Sequence, residues 1–140
     1  MAKRAIDAGA QFIVSPNQDE EVLTCGAKNN IDVYPGVMTP TEIVRAVKAG
    51  ARTVKIFLTG SLGGAAFIKE IRAPLNDVPM IASGSVGLHN IRDILQAGAF
   101  AVGIGGSLVN RHWIEEGNYD AIRNLAQELV HTVADLREVR

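Results

Sequence analysis

A short repeated pattern, Ala-Gly-Ala followed by an apolar run, constrains the fold of this chain more than any other feature. It occurs at residues 8–10, 49–51 and 97–99. Glycine readily takes the left-handed backbone conformation that ends a helix, and small neighbours allow a strand to begin close by. Each repeat therefore predicts the end of a helix and the start of a strand, and the strands expected are 12–14, 53–57 and 101–104.

Two further apolar runs predict strands at 31–34 and 80–82, after Asn29-Asn30 and Val78-Pro79. Helices are expected at 19–28, from Thr39 onward, and at 65–73, 88–96 and 118–139. Thr39 is predicted to cap its helix, with Glu42 completing a capping box. Strand and helix thus alternate about five times along the chain.

This alternation predicts a parallel α/β fold with right-handed crossovers, in one domain covering residues 1–140. We expect the strands in sequence order, 1-2-3-4-5, as one curved arc with 12–14 and 101–104 at its edges. The sheet either is open and doubly wound or is part of a (β/α)8 barrel. A complete barrel needs about 200 residues or more, so only part of one fits in this length.

A lysine interrupts the third predicted strand. Side chains alternate between the two faces of a strand, so Val54 and Ile56 share one face, and Thr53, Lys55 and Phe57 share the other. Burying an unpaired ammonium is costly, and one interpretation is that the amine is kept neutral to attack a carbonyl and form a Schiff base. The alternative is a lysine at a strand end whose ammonium lies in solvent or pairs with a carboxylate.

Segments rich in glycine and serine follow the last two predicted strands. Glycines expose backbone N–H groups, serines add hydroxyl donors, and a following helix N-terminus favours an anion. In barrels, the loops after the last two strands frequently form a phosphate site. The alternative is that these residues only make tight turns. The segments are Ser83-Gly84-Ser85-Val86 and Gly105-Gly106-Ser107-Leu108.

Composition argues against several classes of protein. A formal net charge of -1 and an aromatic content of 5% are unlike those of a nucleic-acid-binding surface. No apolar run is long enough to span a membrane. The single cysteine, Cys25, fits a reducing cytoplasm, and the three histidines lack metal-ligand spacing. We therefore expect a soluble cytoplasmic protein with no metal, no nucleic-acid partner and no membrane partner.

Seven segments, in the same order along the chain, resemble the bacterial 2-keto-3-deoxy-6-phosphogluconate (KDPG) and 4-hydroxy-2-oxoglutarate (KHG) aldolases. They extend over nearly the whole chain, from about residue 2 to residue 129. The segments are GAQFIVSP at 9–16, YPGVMTPTE at 34–42, VKIF at 54–57, FIK at 67–69, SGSV at 83–86, GGSLV at 105–109 and EGNYD at 116–120.

The resemblance implies a class I aldolase on a (β/α)8 TIM barrel, usually a homotrimer, without metal or cofactor. It implies cleavage of a 2-keto-3-deoxy-6-phospho sugar acid or of 4-hydroxy-2-oxoglutarate to pyruvate and an aldehyde, either glyceraldehyde 3-phosphate or glyoxylate. The Schiff-base lysine of the family corresponds to Lys55, and the residues implied in substrate binding are Ser15, Pro16 and Phe57. The implied phosphate contacts are Ser83, Gly84, Ser85, Gly106 and Ser107.

The chain departs from the family pattern at three places. Leu58 stands where the family usually has proline, and Ser83-Gly84-Ser85 replaces Thr-Gly-Gly. The first three strands of the family fold, with its general-base glutamate and the arginine and threonine that bind the pyruvate carboxylate, have no counterpart here. We expect a C-terminal portion of the fold that associates through its edges and has little aldolase activity. The alternatives are a non-catalytic remnant that keeps sugar-phosphate or oligomer contacts, and another phosphate-binding barrel enzyme such as an epimerase.

Overall fold

The computed structural model describes residues 1–138, and helices alternate with strands along it as predicted. The strands are β1 (Phe12–Val14), β2 (Asp32–Tyr34), β3 (Gly36–Val37), β4 (Val54–Ile56), β5 (Met80–Ser83) and β6 (Ala101–Gly103). The helices are α1 (Ala2–Asp7), α2 (Glu20–Lys28), α3 (Pro40–Lys48), α4 (Ala65–Arg72), α5 (Ile91–Gln96), α6 (Arg111–Glu115) and α7 (Tyr119–Glu138).

The chain divides into two compact units. The first consists of residues 1–57 and 71–81, and it contains α1 to α3 and β1 to β4. The second consists of residues 58–70 and the chain from 82 onward, and it contains α5 to α7 and β6. Helix α4 and strand β5 each have residues in both units.

The strands follow one another in sequence order, which confirms the predicted parallel α/β class. Strand β1 pairs in parallel with β2, with Ile13 opposite Val33. The larger sheet has the order β3-β4-β5-β6. Strand β3 pairs in parallel with β4, and this pairing places Gly36 opposite Lys55.

The prediction of one continuous five-stranded arc is wrong at Pro35. The N–H of Ser15 donates to the carbonyl of Tyr34 at 3.3 Å, whereas the N–H of Lys55 donates to the carbonyl of Pro35 at 2.9 Å. Proline has no backbone N–H to offer a neighbouring strand. The chain therefore changes pairing partner at this residue, and the predicted second strand is divided into β2 and β3.

Within residues 1–138 the predicted helix ends are largely confirmed, and the end predicted at Val139 lies outside the described residues. The Thr39 hydroxyl accepts from the N–H of Glu42 at 3.3 Å, and the Glu42 carboxylate accepts from the N–H of Thr39 at 2.8 Å, which completes the capping box. The glycines of the three Ala-Gly-Ala repeats have φ of 94°, 97° and 105°. Helix α5 begins later than predicted, because Gly87 and Asn90 form a turn held by two hydrogen bonds. Helix α6 was not predicted.

Each unit buries its own apolar side chains. Val54 and Ile56 of β4 have no exposed surface, as their shared face predicted. The first unit also buries Val33, Val37, Ile43 and Ala46. The second buries Ile68, Ala82, Val86, Ile91, Ile94 and Leu129. None of the helices in residues 1–138 combines the length and the apolar character needed to cross a bilayer.

Candidate functional site

Lys55 is the central residue of β4, and its side chain projects from the face opposite Val54 and Ile56. Its Nζ atom lies 4.3 Å from the centroid of the Phe57 ring. The side chain is half-buried, and this burial lowers the pKa of the Lys55 amine from its ordinary value of 10.5. A larger share of the amine is therefore neutral near neutral pH than for a hydrated lysine, and only the neutral amine is a nucleophile.

The Ser15-Pro16 turn follows β1 in the same unit. The Ser15 hydroxyl donates to the carbonyl of Asn17 at 2.7 Å and so closes the turn. Pro16 and Phe57 line a pocket of about 400 Å³, and Gly36 and Asn17 also contribute to its wall. Since Phe57 contacts the Lys55 amine as well, this pocket adjoins the lysine. Ser15 shapes the turn but is not among the residues that line the pocket.

In the second unit, hydrogen bonds join the end of β5 to residues 59 and 60. The N–H of Thr59 donates to the carbonyl of Ser83 at 2.8 Å, and the N–H of Ser83 donates to the Thr59 hydroxyl at 3.1 Å. The N–H of Gly60 donates to the carbonyl of Gly84 at 3.0 Å. Thr59 is fully buried. These bonds fix the backbone of the predicted phosphate loop at residues 83–85.

The same contact brings together left-handed backbone from two loops. Leu58 has φ of 63°, Gly84 has φ of 91° and Ser85 has φ of 55°. A Cβ atom on Gly84 would lie 2.7 Å from the Cα of Leu58, so glycine is required there. For Leu58 and Ser85 this conformation costs roughly 1–2 kcal/mol each. Two of the three departures from the family pattern, at Leu58 and in the 83–85 segment, therefore lie at one strained contact.

The loop after β6 lies beside the loop after β5. The Ser107 hydroxyl donates to the carbonyl of Val86 at 2.7 Å, and the Asn90 side chain donates to the carbonyl of Ser85 at 2.8 Å. Apart from the adjacent residues in the chain, no heavy atom of residues 1–138 lies within 4 Å of a Cβ built on Gly106. The hydroxyl of Ser107 thus joins the two loops, and the space beside Gly106 leaves its backbone accessible. Exposed backbone N–H groups in adjoining loops are a feature of phosphate sites.

The predicted site residues thus fall into two groups, one in each unit. Sequence reasoning missed Thr59, which holds Ser83, and Gly36, which lines the pocket. No local pattern marks either residue, because each acts through a partner distant in sequence. Within residues 1–138, no group of three or more potential metal-ligating side chains occurs. The first group is Ser15, Pro16, Lys55 and Phe57, and the second is Ser83, Gly84, Ser85, Gly106 and Ser107.

Comparison with known protein sequences gives a consistent result. The sequence model of the KDPG and KHG aldolase family matches residues 1–125. The 2-dehydro-3-deoxy-phosphogluconate aldolase of Haemophilus influenzae is 33% identical over 130 residues, which cover 92% of this chain and 61% of that protein. The KHG/KDPG aldolase of Escherichia coli is 34% identical over 125 residues, covering 89% of this chain and 58% of that protein.

Solved structures have the same fold. The KDPG aldolase of Legionella pneumophila, with pyruvate captured as a covalent carbinolamine intermediate, has a TM-score of 0.81 and 28% identity. That similarity covers 89% of this chain and 60% of the other. The partial barrel architecture expected from the sequence is therefore confirmed. The chain spans about three fifths of the length of the curated relatives it matches.

Proposed function

The chain belongs to the KDPG and KHG aldolase family, and on that premise we propose that it supplies Lys55 as the Schiff-base lysine of a class I aldolase. The observation that carries this proposal is the half-buried position of Lys55 on β4, where burial lowers the pKa of the amine. Phe57 contacts that amine and lines the adjoining pocket. The Legionella pneumophila relative holds pyruvate as a carbinolamine, the first adduct that attack by an amine produces.

In the proposed reaction, the Lys55 Nζ attacks the C2 carbonyl of a 2-keto acid, and the carbinolamine loses water to give an iminium. The C3–C4 bond then breaks, and its electron pair moves toward the iminium nitrogen to form an enamine. The C4 hydroxyl gives its proton to a base and becomes the aldehyde. Protonation at C3 and hydrolysis release pyruvate and return the free amine. The iminium accepts the electron pair, so the proposed reaction uses no metal and no cofactor.

The proposed substrates are a 2-keto-3-deoxy-6-phospho sugar acid and 4-hydroxy-2-oxoglutarate. The aldehyde product is then glyceraldehyde 3-phosphate or glyoxylate, respectively. A phosphate site in the second unit is supported by the open space beside Gly106 and by the proximity of the two loops, which the bond from Ser107 to Val86 holds together. The proposed substrate contacts in the first unit are Ser15, Pro16 and Phe57. The proposed phosphate contacts are Ser83, Gly84, Ser85, Gly106 and Ser107.

Family membership also supports a proposal about assembly and location. We propose a cytoplasmic homo-oligomer, a trimer by resemblance to the family, in which residues 1–140 form a single partial barrel domain. Its partners are small keto acids and pyruvate, and we propose neither a nucleic-acid partner nor a membrane partner.

Borohydride trapping tests the Schiff-base assignment. The protein is incubated with pyruvate and sodium borohydride, and the reduced adduct is located by peptide mass spectrometry. We expect the adduct on Lys55, its loss in Lys55→Arg, and its persistence in Lys69→Arg, which alters an exposed lysine of α4. A fusion that adds the family's first three strands upstream is tested in the same way. The assignment is wrong if no adduct maps to Lys55 in this chain and none maps to it in the fusion.

Sugar-phosphate binding without catalysis is a second candidate function. It is favoured by the strained contact of Leu58 with Gly84, and by Ser85 in the predicted phosphate loop. Titration with inorganic phosphate and with pyruvate distinguishes the two candidates. Phosphate binding that weakens in Ser107→Ala, together with the absence of any pyruvate adduct, would favour the non-catalytic function.

A further inference from the structure

Gly36 lies beside Lys55 in a position where a side chain would meet the substrate pocket. The two residues are register partners in the parallel pair of β3 and β4. Register partners project from the same face of a sheet, and the next pair, Val37 and Ile56, is buried on the opposite face. A side chain at position 36 would therefore project from the face that carries the Lys55 amine.

The space above Gly36 is filled by backbone of the Ser15-Pro16 turn. A Cβ atom built on Gly36 would overlap the carbonyl group of Pro16 and would lie 2.9 Å from the nitrogen of Asn17. Backbone atoms cannot rotate away as the end of a flexible side chain can. The peptide group between Pro16 and Asn17 thus lies directly over Gly36, one strand from Lys55, at a strand spacing of about 4.8 Å.

This peptide group belongs to residues that line the pocket beside Phe57, the residue whose ring contacts the Lys55 amine. Pro16, Asn17, Gly36 and Phe57 all line that pocket of about 400 Å³. Within residues 1–138, the backbone N–H of Asn17 has no hydrogen-bond partner. This N–H therefore has no protein partner to give up, and it belongs to a residue that lines the pocket adjoining the amine.

We propose that Gly36 is a positioning residue, whose missing side chain allows the Pro16–Asn17 peptide to form the wall against which a keto acid bound to Lys55 rests. The Asn17 N–H then donates to an oxygen of that acid. The proposal rests on the proposed Schiff-base function, but it assigns roles to Gly36 and Asn17 that the family resemblance does not. It predicts that a single methyl group at position 36 disturbs the site more than the fold.

The test compares Gly36→Ala with Gly26→Ala. Gly26 lies in α2 of the same unit, and a Cβ there would overlap the Val33 side chain and lie 2.8 Å from the carbonyl oxygen of Ile31. For both variants, urea unfolding gives stability, and trapping gives the pyruvate concentration at half-maximal adduct. We expect Gly36→Ala to raise that concentration by on the order of 10²-fold, the effect of a misplacement of about 1 Å. We expect Gly26→Ala to lower the free energy of unfolding but to leave the pyruvate concentration at half-maximal adduct unchanged.

A second measurement does not depend on adduct formation. The titration midpoint of Lys55 is followed by NMR of its Cε. The charged groups that line the adjoining pocket are Glu20, Glu42 and Arg45. Displacement of the Pro16–Asn17 peptide admits water to the amine, so the midpoint should move toward the ordinary value in Gly36→Ala. If that variant does not fold, Pro16→Gly loosens the same turn without adding an atom, and it should move the midpoint in the same direction.

The outcomes separate this proposal from the Schiff-base function. An unchanged Lys55 midpoint in Gly36→Ala, or in Pro16→Gly if the first variant is unfolded, overturns the positioning role. The positioning role is also overturned if Gly36→Ala and Gly26→Ala change the pyruvate concentration at half-maximal adduct by the same factor. If the unaltered protein forms no adduct, the Schiff-base function is refuted. A midpoint that moves only in the Gly36 and Pro16 variants then still supports the part of the proposal in which the space above Gly36 positions the Pro16–Asn17 peptide beside the amine.

Discussion

Substitution of Thr59 by valine tests how the second unit holds its predicted phosphate loop. The Thr59 hydroxyl accepts the N–H of Ser83 at 3.1 Å, and Thr59 has no exposed surface. Valine has nearly the same shape, and it is β-branched like threonine. Thr59→Val therefore removes the acceptor with little change in packing, and it leaves the Ser83 N–H without that partner.

The size of the effect follows from this loss. A partly buried N–H left unsatisfied costs about 1–3 kcal/mol. The bonds from Thr59 N–H to Ser83 and from Gly60 N–H to Gly84 remain, and they keep the loop from moving far enough to reach water. We therefore expect a loss of about 2 kcal/mol in the free energy of unfolding. For a chain of this length, such a loss lowers the unfolding midpoint by roughly 6–8 °C.

Urea unfolding followed by circular dichroism measures the change, with Thr59→Ser as the matched control. Serine keeps the hydroxyl and loses one buried methyl group, a cost of about 1 kcal/mol. Calorimetric titration with inorganic phosphate reports on the loop, and we expect weaker binding in Thr59→Val than in Thr59→Ser. The reasoning is refuted if the valine variant is at least as stable as the serine variant and the slope of unfolding free energy against urea concentration is the same in both. The hydroxyl would then not hold Ser83.

The remaining predictions concern charged and hydroxyl side chains. Burial lowers the pKa of Lys55 below 10.5 in the folded protein. The free energy of unfolding should therefore rise with pH between the folded pKa and 10.5, and urea unfolding should show no such rise in Lys55→Met. The N–H groups of Met38 and Thr39 hold the pKa of Glu42 below 4.5 in the folded protein. The contribution of the Glu42 carboxylate to the free energy of unfolding is therefore fully present above pH 4.5, and it is lost as pH falls through the folded pKa. Glu42→Gln should remove that acid-side slope, and Thr39→Ala should cost about 1 kcal/mol at neutral pH. Ser107→Ala should weaken phosphate binding in calorimetry, and an unchanged affinity would exclude this hydroxyl from the site.

Most of the fold was predictable because its signals are local. An Ala-Gly-Ala step ends a helix through the backbone of its own glycine, and the Thr39–Glu42 capping box spans one helical turn. The change of partner at Pro35 was not predictable in this way. It depends on hydrogen bonds to Ser15 and Lys55, which lie on two different neighbouring strands. A run of apolar residues looks the same whether it pairs along its whole length or changes partner halfway.

The candidate site was predictable only in part. Alternation along β4 was sufficient to place Lys55 and Phe57 on one face and to expect a lowered pKa. The role of Thr59 requires knowing that the chain after β4 returns against the end of β5. The crowding over Gly36 likewise arises from Pro16, which lies on another loop. Sequence reasoning identified the residues with distinctive chemistry, but it missed those that act by leaving room or by holding a loop.

The contact between Leu58 and Gly84 limits how this chain can be altered by reference to its family. Aldolases of this family usually carry proline at the position of Leu58, and consensus substitution is a common route to greater stability. Proline fixes φ near −65°, whereas Leu58 has φ of 63°. Substitution of Leu58 by the family residue is therefore blocked by backbone geometry. Proline could be accommodated at this position only if the loops at 58–60 and 83–85 changed together.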